Sequence, residues 1–436
     1  MAASRPGGAH GGPGVLARVG ALEIWASPEP TAARIAARVR RDQLVETGHG
    51  ARLGDVELLA DLGVSHVRYP VLWEKTAPGD PGDADFTWAA ARLERLRARG
   101  VSPIVTLLHH GSGPDDTSLV AADFPARFAA YARAAAERFP WVERWTPINE
   151  PLTTARFSTL YGHWYPNTVR NHAAFGLAIV NQARAIALAM GAIRGVNPAA
   201  RLLLTEDLQG FHADPAHAAY GDHQRERSFL SVELLMGRIL AGHPMHAYLT
   251  RACAVPAADL AWFAEHRTPP DLMGWNYYPH SERSLLDRGG PLCADVAAVY
   301  ARRQGISPRP LLRAAYRRLG LPMAISEVHL DGDAGERCRW LAERWRDARV
   351  LADEGIPVMA VGAWAAFGMV DWRSLLRLRE GWREDGVFTF SAAHETPRRT
   401  AVADLVEGLA RGEEPPAYEP GWWETEERLA RGESVA

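Results

Sequence analysis

Lysine is all but missing from this chain: Lys75 is the only one in 436 residues, and arginine makes up the rest of the 49 basic side chains. With its heavy use of alanine and glycine the chain reads as a product of coding bias. It does not read as a nucleic-acid binder, because the arginines are scattered among acidic residues and form no stripe. A large charge of either sign is missing too. At a formal net charge of −3, neither nucleic acid nor an anionic membrane is an expected partner. Cysteine is scarce. Cys253, Cys293 and Cys338 are odd in number and far apart, which fits a reducing compartment better than a disulfide framework and argues against a cysteine metal site. No uninterrupted apolar run is long enough to cross a bilayer, and the start, Met1 to Gly14, is Gly-rich without an apolar signal core. The expectation is a cytoplasmic protein with a small, neutral partner.

Also missing is a Gly-rich phosphate loop after the first strand-like run. An open doubly wound sheet would place one there, and Ser27-Pro28-Glu29-Pro30 stands in its place. What is present is alternation. Short apolar runs lie near Leu22 to Ala26, His66 to Tyr69, Pro103 to Leu108, Arg144 to Ile148, Arg201 to Thr205, Leu272 to Asn276, Met323 to Ser326 and Val358 to Trp364. Helical patterns fill most of the gaps. Phe86, Ala90, Leu93 and Leu96 keep an amphipathic spacing before Gly100. Asp123 is a candidate N-cap for Phe124, Phe128, Tyr131 and Ala135. Asn171 opens a long alanine-rich helix to about Arg194, and Trp340, Leu341, Trp345 and Ala348 precede Gly355. Eight such units predict an α/β chain folded as a single (β/α)8 TIM barrel over residues 19–411. A flexible segment is expected at 1–18, and a tail at 412–436, docked or partly disordered, whose Trp422 and Trp423 either dock on the barrel or help cover a cleft.

Barrel chemistry sits at the C-terminal ends of the strands. In this register those ends carry Glu29, Arg68, His109, Asn149 with Glu150, Glu206 with Asp207, Asn276 with Tyr278, Glu327, and Trp364. Two members of that ring are glutamates that each close a strand-like motif. Glu150 closes Thr146-Pro147-Ile148-Asn149-Glu150-Pro151, and Glu327 closes Pro322-Met323-Ala324-Ile325-Ser326-Glu327. Paired carboxylates are what glycoside hydrolysis requires, one to protonate the leaving oxygen and one to attack the anomeric carbon.

From about Leu22 to Phe390 the chain resembles glycoside hydrolase family 1, the retaining β-glycosidases. Six segments carry the resemblance in the right order. Leu62 to Trp73, with Arg68, is similar to the second strand, and Val105-Thr106-Leu107-Leu108-His109-His110 to the third. Trp145 to Pro151 matches the Asn-Glu-Pro motif of the acid/base, and Gly274-Trp275-Asn276-Tyr277-Tyr278 the sixth strand. Ile325-Ser326-Glu327 stands where the family keeps its nucleophile, and Trp364 through Trp372 has the spacing of the Trp-to-Glu-Trp segment. The resemblance implies a retaining O-glycosidase, β-glucosidase-like, with Glu327 as nucleophile and Glu150 as acid/base, roughly 5 Å apart. It implies support from Arg68, Asn149, Asn276 and Tyr278, with Asn149 bonding the sugar 2-hydroxyl, and sugar binding by Glu29, His109, His110, Trp364, Asp371 and Trp372. No cofactor and no metal are implied.

The departures fall on sugar-binding positions. Glu327 is followed by Val328-His329 where the family has Asn-Gly, His110 takes a tryptophan position, Asp371 replaces a glutamate, and Glu29 stands near an expected glutamine. The glycone is therefore left open, as is the oligomeric state. Two other readings keep the same fold: a transglycosylase acting on a sugar acceptor, and a catalytically inactive sugar-binding barrel. A metal-dependent hydrolase is suggested by His109-His110, but adjacent strand residues point to opposite faces, so both histidines are not expected inside the barrel. His212, His217 and His223 form a loose loop cluster, expected to be exposed. Glu206 and Asp207 are expected in structural or outer-subsite roles.

Overall fold

The computed structural model describes residues 22–285, 298–300, 306–425 and 427. The Gly-rich start, Cys293 and the end of the tail lie outside them. Every apolar run singled out in the sequence is a strand: β1 (Glu23–Ala26), β2 (His66–Pro70), β3 (Ser102–His109), β4 (Arg144–Asn149), β5 (Arg201–Asp207), β6 (Leu272–Tyr277), β7 (Met323–Val328) and β8 (Val358–Ala363). They pair in parallel, and β1 bonds to both β2 and β8, which closes the ring. Parallel neighbours cannot be joined by tight hairpins, so each connection carries a crossover helix. These are α1 (Asp55–Asp61), α2 (Thr87–Ala98), α3 (Phe124–Arg138), α4 (His172–Val196), α5 (Ala257–Glu265), α6 (Arg309–Leu319) and α7 (Ala334–Asp353), with α8 (Ala401–Ala410) following β8. The molecule is a (β/α)8 barrel.

Most of the apolar side chains of strands and helices meet in one layer between barrel and helices, where each buried Leu, Ile or Phe contributes about 1.5–3 kcal/mol. Inside the barrel, Trp25, Ile104, Leu203, Ala324 and Ala360 form a separate apolar plug. The polar residues of the strand ends lie beyond it in the chain direction. α4 is long and apolar enough to span a bilayer, but most of it is buried against α3 and the short helix Pro151–Thr159, as a core helix should be. Its N-cap is Asn171, whose side chain accepts the Ala174 N–H. Asp123 holds the N-cap position of α3 without making a cap hydrogen bond. Its backbone is already helical, and its carboxylate faces Arg127 at 3.9 Å instead. The tail tryptophans dock on the barrel. Trp423 is fully buried, its indole N–H donates to Glu343 Oε2 at 2.8 Å, and its ring packs edge-on to Trp340 of α7.

The strands run further than the apolar runs suggest. β5 continues to Asp207 and β7 to Val328, so Glu206, Asp207 and Glu327 belong to the strands themselves. The pairing of β7 with β6 slips between Ile325 and Glu327, leaving Glu327 opposite Asn276. Such a slip re-aims a side chain. β8 accommodates it with Gly362, where a Cβ would stand 2.2 Å from the Ser326 carbonyl oxygen, so only glycine fits there.

Candidate active site

Glu150 leaves β4 in the left-handed region, at φ +44°, and the helix Pro151–Thr159 begins at once. A non-glycine residue stays in that conformation only when its surroundings hold it there. Here the Glu150 N–H donates to the Thr205 carbonyl at 3.1 Å, and the Leu152 N–H donates to Glu206 Oε1 at 2.8 Å. Glu150 is 6% exposed, and its Oε1 accepts from Asn276 Nδ2 at 2.6 Å. Asn276 is held in turn by Ser326, whose hydroxyl donates to Oδ1 at 2.7 Å.

Glu327, 3% exposed, meets opposite chemistry. The Arg68 guanidinium donates to Oε1, and the Tyr278 hydroxyl donates to Oε2 at 2.5 Å. β6 therefore grips both acids, through Asn276 on one side and Tyr278 just past its end on the other. Burial pushes the Glu150 carboxyl well above the usual carboxylate range, and the charges of Glu327, Asp207 and Glu206 add to the push. Burial and the charges of Glu327 and Glu150 also push the Tyr278 phenol well up, so it remains a donor. One acid is pushed toward its protonated form, and the other is met by a fixed cation.

Asn149 lies 0% exposed between four groups. Its Oδ1 accepts from Thr205 Oγ1 at 2.7 Å and from Arg68 Nη1 at 3.3 Å, while Nδ2 is 3.1 Å from His109 Nε2 and 3.3 Å from His110 Nε2. This corrects the expectation from strand alternation that only one of the two histidines could face inward. His110 has left the strand with φ +54°, and that turn brings its ring round to the same amide. Its Nε2 is also 3.7 Å from Glu150 Oε2. The Nε2 atoms of both imidazoles are thus engaged by Asn149. Among the described residues no group of three or more His, Cys, Asp or Glu is arranged to hold a metal ion.

On the remaining side, Glu29 is buried beyond β1. Its Oε1 accepts the Thr31 N–H at 2.8 Å and its Oε2 the Trp364 indole N–H at 3.0 Å. Burial raises its carboxyl to about 7, with the Glu327 charge contributing. Trp364 stacks on His109 with centroids 5.5 Å apart and carries the Arg68 guanidinium 4.5 Å from its ring centre. Trp372 is half-buried beside His110 and Trp164. Asp371, expected to bind sugar, is held by protein partners. It is 1% exposed, and its carboxylate accepts from Arg41 Nη2 at 2.9 Å and from the Trp382 N–H at 2.8 Å. Arg41 also clasps Glu46 and the carbonyls of Leu376 and Leu378, so this pair ties the loop after β8 to the segment after β1.

Sequence reading did not single out Arg41, Thr154, Thr205 or Ser326. Each is tied to the site through a partner distant in the chain, and a single arginine, serine or threonine gives no local signal. Asp207 accepts from the Ser281 hydroxyl and from Arg283 at 2.8 Å, and so anchors the stretch after β6. His212, His217 and His223 are half-buried rather than exposed. They go to separate partners, Glu282, Asp214 and the Tyr248 ring, and form no cluster.

The model of a family described as Glycosyl hydrolase family 1 matches residues 33–283. Among curated proteins, the chain is 28% identical over 122 residues to putative beta-glucosidase 17 of Oryza sativa subsp. japonica, covering 26% of this chain and 40% of that protein. It is 28% identical over 148 residues to beta-glucosidase A of Thermotoga maritima, covering 32% of this chain and 33% of that one. The chain thus spans less than half the length of these two relatives. A solved structure of beta-glucosidase from Thermotoga maritima in complex with castanospermine superposes with a TM-score of 0.74 at 16% identity, covering 92% of this chain and 100% of that one. At that identity the likeness is one of fold.

Proposed function

The chain belongs to glycosyl hydrolase family 1, and we propose that it is a β-glucosidase-like O-glycosidase that cleaves a β-glycosidic bond with retention, through a covalent glycosyl-enzyme on Glu327. The observation that carries this reading is the opposite setting of the two acids: Glu150 pushed toward its protonated form by burial and three neighbouring acids, Glu327 held by Arg68 and Tyr278. Retaining hydrolysis asks for that division of labour. In the first step the Glu327 carboxylate bonds to the anomeric carbon as the bond to the leaving oxygen breaks, and Glu150 passes its proton to that oxygen. In the second, Glu150 takes a proton from water, the water oxygen bonds to the anomeric carbon, and the ester to Glu327 breaks.

The two steps are coupled through charge. Once Glu327 is esterified, the negative charge that helped hold the proton on Glu150 is gone, so Glu150 becomes a base when a base is needed. The substrate class we propose is a small glycoside or oligosaccharide. Solved structures of the Thermotoga beta-glucosidase are complexes with sugar-like compounds such as castanospermine and deoxynojirimycin. No cofactor is needed for these steps. Three scattered cysteines suit a cytoplasmic setting.

Labelling tests the reading. Wild type is incubated with 2-deoxy-2-fluoro glycosides of several sugars bearing good leaving groups, and the intact mass is measured. The expected result is one sugar adduct mapped to the Glu327 peptide and none on Glu327→Gln. No adduct, together with no turnover across a panel of aryl glycosides, would favour a sugar-binding barrel without turnover.

A further inference from the structure

Arg68 can only donate, so the amide oxygen of Asn149 must be the atom facing it, and the amide nitrogen must face the histidines. An amide nitrogen carries two hydrogens. One lies toward His109 Nε2 at 3.1 Å and the other toward His110 Nε2 at 3.3 Å. Both rings must therefore offer a lone pair at Nε2 and carry their hydrogen on Nδ1. The surroundings agree. Burial, with Arg68 adding to it, keeps both rings neutral, His109 lowered well below the usual histidine range and His110 to about 3. His110 Nδ1 then donates to Thr154 Oγ1 at 3.0 Å, on the helix that follows Glu150. His109 Nδ1 is buried and has no partner among the described residues.

In the retaining mechanism a hydrogen bond to the sugar's 2-hydroxyl strengthens as the transition state forms, and Asn149 is the residue from which the sequence led us to expect it. The donor hydrogens of its amide are both taken. One of the two acceptors, His110, stands where the resemblance calls for tryptophan, whose indole nitrogen has no lone pair to offer. We propose that His110 is a specificity-determining residue: by holding the second amide hydrogen of Asn149 it deprives a bound glycone of that donor, so the site discriminates only weakly between glycosides with and without a 2-hydroxyl. The inference rests on the glycosidase reading above. It also leaves His109 Nδ1 as one buried N–H donor without a protein partner among the described residues.

The test compares matched aryl β-glycosides with and without the 2-hydroxyl by kcat/KM. In parallel, deoxynojirimycin and its 2-deoxy counterpart are compared by calorimetric Kd. Wild type, His110→Phe and Thr154→Val are measured. His110→Phe removes the acceptor but keeps a ring to pack on Trp164, 5.0 Å away. Thr154→Val leaves the imidazole in place and frees it to carry its hydrogen on Nε2, which also releases the amide hydrogen and guards against a misfolded His110 variant. In both variants the preference for the 2-hydroxyl should rise by about tenfold over wild type, the weight of one hydrogen bond. An unchanged or smaller preference in folded variants overturns the inference. If wild type binds the iminosugars but turns over no glycoside, the catalytic reading falls while the ratio of Kd values still decides this one. If it does neither, both fall.

Discussion

Two strand ends of this barrel carry the same residue type, a buried glutamate, in opposite surroundings. At the end of β4, Glu150 is surrounded by Glu206, Asp207 and Glu327 and receives a neutral amide from Asn276. At the end of β7, Glu327 receives a guanidinium and a phenol. Both glutamates are buried, so burial alone cannot tell them apart. What separates them is the sign of the neighbouring charge, and the proposed mechanism uses that difference to make one the acid and the other the nucleophile.

The largest effect comes from erasing the nucleophile's end. Glu327→Gln should lower kcat by about 10⁴-fold or more, because no ester can form, and steady-state assays on aryl glycosides would show it. Glu150→Gln should cost about 10²–10⁴-fold. In contrast to Glu327→Gln, its effect on the first step should shrink as the leaving group improves, since a good leaving group needs no proton. A leaving-group series followed by burst kinetics separates the two variants.

A second pair of changes contrasts Arg68 with Arg41, both buried and both paired with a carboxylate. Removing one partner of such a pair destabilises a fold by about 3–5 kcal/mol. Arg68→Met should lose both stability and turnover. Arg41→Met should lose stability in urea unfolding while keeping most of its kcat, because Asp371 anchors a loop. If Arg41→Met instead abolishes turnover in a folded protein, Asp371 belongs to the sugar site after all.

The smallest effect is a dependence on pH. Burial, the leading cause, raises Glu206 to about 8. A carboxyl raised on folding stabilises the protein fully below its unfolded value, near 4.5, and that stability is lost as pH rises toward 8. Glu206→Gln should therefore flatten the fall in Tm across that window.

The barrel was legible because parallel strands buried on both faces leave near-continuous apolar runs, and eight of these recur. The two glutamates were legible because each ends such a run within a distinctive motif. Strand ends were less so. Glu206 and Asp207 carry charge where the apolar signal stops, yet their backbones still pair with β6. The convergence of His109 and His110 was hidden by a left-handed turn at His110 that no glycine marks. Asp371 occupies a position expected to bind sugar, and only the fold reveals that Arg41, 330 residues earlier, claims its carboxylate.

The central claim, that the pair works by double displacement, is tested most directly by the configuration of the first product. An aryl β-glycoside that the enzyme accepts is hydrolysed in the magnet, and the anomeric proton of the released sugar is followed by NMR before mutarotation. The account predicts the β-anomer first, with the α-anomer appearing only at the rate of spontaneous equilibration. If the α-anomer appears first, inversion has occurred, and Glu327 is not a covalent nucleophile.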